Sequence, residues 1–125
     1  MVKVITTGKP YSCLVTDGVH QLQADTILEY GGGNAGFRPH DLLAAALGTC
    51  QAISVRMYAS NHGIPVRSVT VEVEIDRTTQ DKTVFRKIIS IEGDISEDER
   101  KNLYNVATTC PVQQTLSQQL EFVIA

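Results

Sequence analysis

The sequence lacks several features that mark whole classes of protein. It carries 11 Lys and Arg residues against 14 Asp and Glu, a net charge of −3, so the basic excess that is typical of nucleic-acid-binding proteins is missing. No run approaches the ~20 apolar residues that are needed to span a bilayer. The segment Met1–Thr7 alternates apolar and polar residues and has no apolar core of a signal peptide. We therefore expect a cytoplasmic protein with no nucleic-acid or membrane partner.

Fingerprints of metal and nucleotide sites are also missing. There is no Cys-x-x-Cys motif, and His20, His40 and His62 do not have a metal-ligand spacing. The glycine-rich stretch Gly31–Gly36 lacks both the Lys-Ser/Thr of a Walker motif and the G-x-G-x-x-G spacing of a dinucleotide site. We expect neither a metal site nor a nucleotide site.

Cysteine is scarce, and its few copies lie far apart, at Cys13, Cys50 and Cys110. An odd number with this spacing does not indicate the disulfide framework of a secreted protein. A chain of 125 residues is long enough to bury a core without disulfides, so we expect one domain over residues 1–125. In a reducing compartment the thiols are either inert core residues or reactive groups, and that choice decides the function.

The first half of the chain predicts short strands followed by one long helix. Proline suits the first helical position, and His62-Gly63 followed by Pro65 ends a helix. The apolar stripe Leu43, Leu47, Cys50, Ile53 and Met57 has apolar flanks, which indicates a central helix buried on most sides. The predicted elements are strands at Val2–Thr7, Tyr11–Thr16 and Val19–Ala24, a hairpin turn at Asp17-Gly18, a loop at Gly31–Gly36 and a helix from Pro39 to about Asn61.

The second half predicts a long hairpin followed by helices. Strict alternation of apolar and polar residues over Val69–Asp76 is typical of a strand with one wet face. Ser96 with Glu99 three residues later forms a capping box, which opens a helix. The predicted elements are a turn at Arg77–Asp81, a returning strand at Lys82–Glu92, a helix through about Thr108, a short helix starting at Cys110-Pro111 and a last strand at Gln119–Ile124. This order predicts an α+β domain.

Two of the cysteines are candidates for chemistry, and each has a plain structural alternative. Cys50 lies on the apolar stripe of the long helix, where a free cysteine is more often an inert core residue. Cys110 precedes Pro111 and is expected to cap a short helix, where unpaired backbone N–H groups favour a thiolate. An accidental cap is an equally good account of Cys110. Cys13 lies in a predicted strand and is interpreted as structural.

The chain resembles the OsmC/Ohr family. The stretch from Gly31-Gly32 through Pro39 and Asp41 to Leu42-Leu43-Ala44-Ala45 and Cys50 is similar to the central-helix signature of that family. Cys110-Pro111-Val112 matches its second motif, and the hairpin Val69–Glu92 lies between the two. The resemblance implies antiparallel sheets around a long buried central helix, in an intertwined homodimer with sites at the interface.

The resemblance also implies an activity, the reduction of organic hydroperoxides by thiols. Cys50 would be the peroxidatic thiol, which becomes a sulfenic acid, and Cys110 the resolving thiol, which closes a disulfide. An external dithiol of the dihydrolipoyl type would regenerate both thiols. No metal or bound cofactor is implied. The apolar pocket of the family implies a preference for organic peroxides over hydrogen peroxide.

One position departs from the family pattern. Hydroperoxide reductases of this family have Glu directly after the signature proline, and this Glu holds an activating Arg; here the position is His40, followed by Asp41. No Arg precedes Arg38, so Arg38, His40, Asp41 and Arg56 are the substitutes to consider. Ten residues of helix separate position 40 from Cys50, about 15 Å at 1.5 Å per residue, so a helper from that end would have to arrive from elsewhere.

This departure keeps two other functions open. One is a redox-responsive or small-molecule-binding protein with little peroxidase activity. The other is a structural dimer with two incidental core cysteines.

Overall fold

The computed structural model describes the whole chain, Met1–Ala125. The chain divides into two compact units, Met1–Leu43 and Ala44–Ala125. In chain order the elements are β1 (Lys3–Thr6), β2 (Cys13–Thr16), β3 (Gln21–Ala24), a 3-10 helix (Leu28–Tyr30), α1 (Pro39–Asn61), β4 (Val66–Thr79), β5 (Lys82–Gly93), α2 (Glu97–Thr108) and α3 (Pro111–Leu116). This is the predicted α+β class, and the predicted bounds of the long helix are confirmed.

The first unit is built on an antiparallel meander in the order β1-β2-β3. All three strands were predicted, and each is shorter than expected. The Asp17-Gly18 turn is wider than a two-residue hairpin, because Asp17 to His20 form the loop between β2 and β3. The Asp17 carboxylate accepts hydrogen bonds from the backbone N–H groups of Val19 and His20. The backbone N–H and the side chain of His20 lower the pKa of Asp17 to about 2.

Asp25 organises the glycine-rich loop of the first unit. Its carboxylate accepts hydrogen bonds from the backbone N–H groups of Thr26 (2.7 Å), Gly33 (3.1 Å) and Ala35 (3.1 Å). These N–H groups lower the pKa of Asp25, the contact with Thr26 having the largest effect. A side chain at Gly36 would overlap the backbone carbonyl of Gln23. The loop therefore requires glycine for close packing of its backbone.

The second unit packs helices on one face of the β4–β5 hairpin. The inward-facing rows are the apolar residues of β4 and their neighbours on β5: Val69, Val71, Val73, Ile75, Phe85, Lys87, Ile89 and Ile91. Val55 and Ala59 of α1 and Leu103 and Ala107 of α2 form the buried core with Ile91. The predicted capping box is confirmed, since Ser96 and Glu99 bond each other's backbone N–H groups.

The expectation of a long helix buried on most sides is wrong for the single chain. The buried residues of α1 are Leu47, Gly48, Gln51, Val55 and Ala59. Of the predicted stripe only Leu47 is among them, while Ile53 is 53% and Met57 61% exposed. Gly48 faces Val71 and Val73 of β4, so the helix approaches the sheet along this other stripe. By length and composition alone α1 could cross a membrane, a test that core helices of soluble proteins also pass.

The predicted last strand at Gln119–Ile124 is also wrong. The segment has no regular secondary structure and no strand pairing, and all of its residues are exposed. A strand needs a neighbouring backbone to satisfy its N–H and C=O groups, and both sheets of the chain are complete without this segment. The alternating sequence alone could not show whether a partner strand was within reach.

Candidate functional site

Cys50 lies near the middle of α1 and is partly buried. It is next to Gln51, whose side chain is fully buried. The long helix thus holds Cys50 at the border of its buried stripe, in a position that is partly open to solvent. This differs from the inert core position that is the plain alternative for such a cysteine.

Cys110 is the N-cap of α3, as predicted, and it is 1% exposed. Its sulfur accepts a hydrogen bond from the backbone N–H of Gln113 at 3.5 Å. The backbone N–H of Gln113 favours the thiolate, as the N-cap position predicted, but it is not the largest influence on this thiol. Burial raises the pKa of the Cys110 thiol above its usual value and outweighs the opposite effect of the Gln113 N–H group.

The two thiols are neighbours. The Cys50 side chain lies close enough to Cys110 to raise the pKa of its thiol, and the negative charge of a Cys50 thiolate raises it further. Both cysteines are free thiols. The structure thus brings together the two cysteines that lie sixty positions apart in sequence, one partly open and one buried.

A polar network lies beside this pair, and the sequence analysis missed it. Gln51 Nε2 donates to Gln113 Oε1 at 3.0 Å, and Lys87 Nζ donates to the same oxygen at 2.7 Å. The other amide atom of Gln51, Oε1, is buried without a hydrogen-bond partner. The network joins α1, β5 and α3, the elements on which the thiols and their surroundings are built.

The sequence contains one feature that could have predicted this network, namely a charged residue in the apolar row of β5. On β5 the inward-facing row reads Phe85, Lys87, Ile89 and Ile91, and a charge in an apolar row is rare unless it is paired. Gln113 accepts a hydrogen bond from this ammonium, and no carboxylate forms an ion pair with it. The position of Lys87 in the period-two pattern therefore indicates a polar site.

Three other predicted site residues, Arg38, His40 and Asp41, belong to the first unit. The Arg38 guanidinium lies over the Tyr30 ring at 5.9 Å from its centre. Arg38 and Asp41 line an open groove of about 560 Å³, together with Leu22, Gln23, Asn34, Ala35, Gly36 and Phe37. None of the three side chains has a hydrogen bond or ion pair within that unit. Their role in activating a thiol stays a prediction.

The two remaining candidates, Arg56 and Cys13, both contact nearby backbone carbonyls. Arg56 donates to the backbone carbonyl of Val66 at 2.6 Å, so it ties α1 to the start of β4. Cys13 lies on β2, and its sulfur is 3.8 Å from the carbonyl of Tyr11. Both observations agree with structural roles.

The chain is similar in fold to solved OsmC and Ohr structures. An OsmC-like protein from Mycoplasma pneumoniae superposes with a TM-score of 0.77 at 20% identity, covering 93% of this chain and 85% of that one. An organic hydroperoxide resistance protein OsmC from Legionella pneumophila gives 0.65 at 24% identity, with 94% and 88% covered. The organic hydroperoxide resistance protein OhrB of Bacillus subtilis gives 0.66 at 19%, with 94% and 90% covered.

Sequence comparison gives the family directly. No protein with a curated description is a significant match to this chain. The sequence model of the family described as OsmC-like protein matches residues 31–125, the segment that carries both cysteine motifs and the hairpin between them. The chain therefore belongs to the OsmC-like family.

Proposed function

We propose that the protein is a thiol-dependent peroxidase that reduces organic hydroperoxides. The observation that carries the proposal is the unequal thiol pair, in which partly exposed Cys50 lies beside buried Cys110 with its raised pKa. Membership of the OsmC-like family, and the hydroperoxide resistance proteins among its structural relatives, support the same reaction.

In the first proposed step the Cys50 thiolate attacks the distal oxygen of the hydroperoxide. The new S–O bond forms as the O–O bond breaks, and the leaving alkoxide takes up a proton to become the alcohol. Cys50 is then a sulfenic acid. Its partial exposure gives the peroxide access, whereas Cys110 is too buried to meet it first.

In the second proposed step the Cys110 sulfur attacks the sulfur of the Cys50 sulfenic acid. A disulfide forms, and the oxygen of the sulfenic acid leaves as water. An external dithiol of the dihydrolipoyl class then reduces the disulfide by exchange through a mixed disulfide. The chemistry needs no metal or bound cofactor, and we place it in the cytoplasm.

We further propose that the protein acts as a homodimer. One face of α1 carries Ile53 and Met57, which are 53% and 61% exposed, and Ile88 of β5 is 64% exposed. Ile53 and Met57 also line an open groove of about 370 Å³. Apolar side chains concentrated on one helix face favour association with a second copy.

A second candidate function is a redox-responsive or small-molecule-binding protein with slow peroxide turnover. The observation that favours it is that no Lys or Arg within residues 44–125 donates a hydrogen bond to either thiol. A cation bonded to a thiolate stabilises it by one or more pKa units, so the lack of such a bond would limit the rate of the first step.

Peroxide consumption distinguishes the two functions. Reduced protein with excess dihydrolipoamide is given cumene hydroperoxide or hydrogen peroxide, beside Cys50→Ser and the matched control Cys13→Ser. The peroxidase proposal expects faster consumption of the organic peroxide, lost in Cys50→Ser and kept in Cys13→Ser. Slow, unselective consumption that is indifferent to Cys50→Ser would leave the second candidate.

A further inference from the structure

Gln113 forms hydrogen bonds that link Cys110 to α1 and to β5. Its backbone N–H contacts the Cys110 sulfur at 3.5 Å. Its side-chain oxygen accepts from Gln51 on α1 and from Lys87 on β5. One residue therefore connects the buried thiol, the helix that carries the other thiol, and the sheet beneath them.

These contacts are suited to hold α3 in place. α3 has only six residues, and helices this short are not stable by themselves in water. None of the residues of α3 is fully buried, and its apolar residues Val112 and Leu116 are half-buried, so apolar packing is only part of what fixes its position. The Lys87 contact is charge-assisted, and such hydrogen bonds are roughly twice as strong as neutral ones.

Gln51 and Lys87 are suited to anchor Gln113. Gln51 is 0% exposed, and its Nε2 contact with Gln113 is the only hydrogen bond of its amide, because Oε1 has no partner. Lys87 lies in an apolar row opposite Val73. The Lys87 ammonium has three N–H donors and a single protein acceptor, Gln113 Oε1. The hydrogen bond between them therefore favours one conformation of the Gln113 side chain.

We propose that Gln113, anchored by Lys87 and Gln51, is the positioning residue that holds the Cys110 sulfur against Cys50 for disulfide closure. The proposal rests on the assignment of Cys110 as the resolving thiol. It assigns Gln113 no contact with the peroxide and no part in the first step. Losing the anchor should therefore slow closure of the disulfide and leave the reactivity of Cys50 unchanged.

The test uses oxidised glutathione instead of peroxide, so its outcome does not depend on peroxidase activity. The Cys50 thiolate attacks one glutathione sulfur, the glutathione disulfide bond breaks, and a glutathione thiolate leaves. Cys110 then attacks the Cys50 sulfur of the mixed disulfide, which closes the Cys50–Cys110 disulfide and releases a second glutathione thiolate. The two released thiolates take up the protons that the two cysteines lose. Quenched mass spectrometry follows both steps across a range of pH.

Gln113→Met removes the amide at similar size, and we expect it to lower the maximal closure rate at high pH by about tenfold. Formation of the mixed disulfide at Cys50 should stay within about twofold of the native rate. The matched control is Gln114→Met, because Gln114 is exposed and bonds only the Thr109 carbonyl of its own segment. This control should close at the native rate.

Lys87→Met and Lys87→Arg extend the test to the anchor. Lys87→Met places an apolar side chain in an apolar row, so folding should be kept while closure slows. Lys87→Arg keeps a charged donor and should restore most of the rate. The proposal is overturned if Gln113→Met closes at the native maximal rate with only a shifted pH midpoint, or if Gln114→Met slows closure as much.

Discussion

Burial of Cys110 decides the pH range in which the second proposed step is fast. A thiol attacks as its thiolate, and burial together with the neighbouring Cys50 raises the pKa of Cys110 above the usual value. Near neutral pH most Cys110 is therefore protonated. A resolving thiol of this kind does not compete for peroxide, and it reacts when the sulfenic acid has formed beside it.

We expect the rate of disulfide closure, measured after a single equivalent of peroxide, to keep rising with pH beyond the usual thiol value of about 8.5. The free energy of unfolding should fall with rising pH over the same range. Because the pKa of Cys110 is raised in the folded state, that state binds the thiol proton more tightly than the unfolded chain does. The stability that this proton contributes is present at neutral pH and is lost as pH rises through the folded pKa. Urea denaturation across that range, compared with Cys110→Ala, measures it. A closure rate that levels off well below pH 8.5 would contradict the raised pKa.

At the scale of elements, the glycine-rich loop before α1 depends on the size of its residues. A Cβ atom at Gly36 would overlap the carbonyl of Gln23, whereas one at Gly33 would meet only the Asp25 carboxylate at 3.2 Å. A backbone carbonyl in a bonded strand cannot move aside easily, but a side-chain oxygen can shift by a few tenths of an ångström.

We therefore expect Gly36→Ala to destabilise the first unit by about 1–3 kcal/mol, the range for overpacked sites. Gly33→Ala, the matched control in the same loop, should cost clearly less. Hydrogen exchange of β3 and the loop, read by mass spectrometry, reports the local stability of each variant. Equal protection in the two variants would show that the close approach at Gly36 is not what fixes the loop.

Local patterns in the sequence predicted most of these elements because each pattern has a local cause. Pro39, the Ser96–Glu99 capping box and Cys110-Pro111 act within one or two helical turns, so their effects are visible in sequence. The packed stripe of α1 was mispredicted because its flanks are also apolar, and only the sheet decides which side is covered. The network of Gln51, Lys87 and Gln113 joins residues far apart in the chain, which no local pattern describes.

At the scale of the whole molecule, the exposed apolar surface is the feature that a single chain leaves unexplained. Ile53 and Met57 of α1 and Phe122 near the C-terminus are all more than half exposed. Burying such side chains is worth roughly 25 cal/mol per Å² of apolar surface. The segment Gln119–Ile124 has no strand partner in its own chain, which leaves its backbone free to pair with a second copy.

We expect sedimentation equilibrium to show a dimer, and we expect Met57→Asp to weaken it, because a carboxylate would then be buried without a partner. Lys101→Asp is a suitable control, since Lys101 of α2 is exposed and lies outside this groove. A monomer at every concentration, or a dimer indifferent to Met57→Asp, would contradict this assignment of the surface.

The central claim is that Cys50 and Cys110 are the two thiols of one peroxide-reducing reaction. Mass spectrometry of reduced protein after one equivalent of cumene hydroperoxide tests it most directly. The native protein should lose two hydrogen atoms as the Cys50–Cys110 disulfide forms, and Cys110→Ser should gain one oxygen at Cys50, trapped by dimedone. Native protein without this disulfide, or oxygen at Cys13 instead of Cys50 in Cys110→Ser, would contradict the claim.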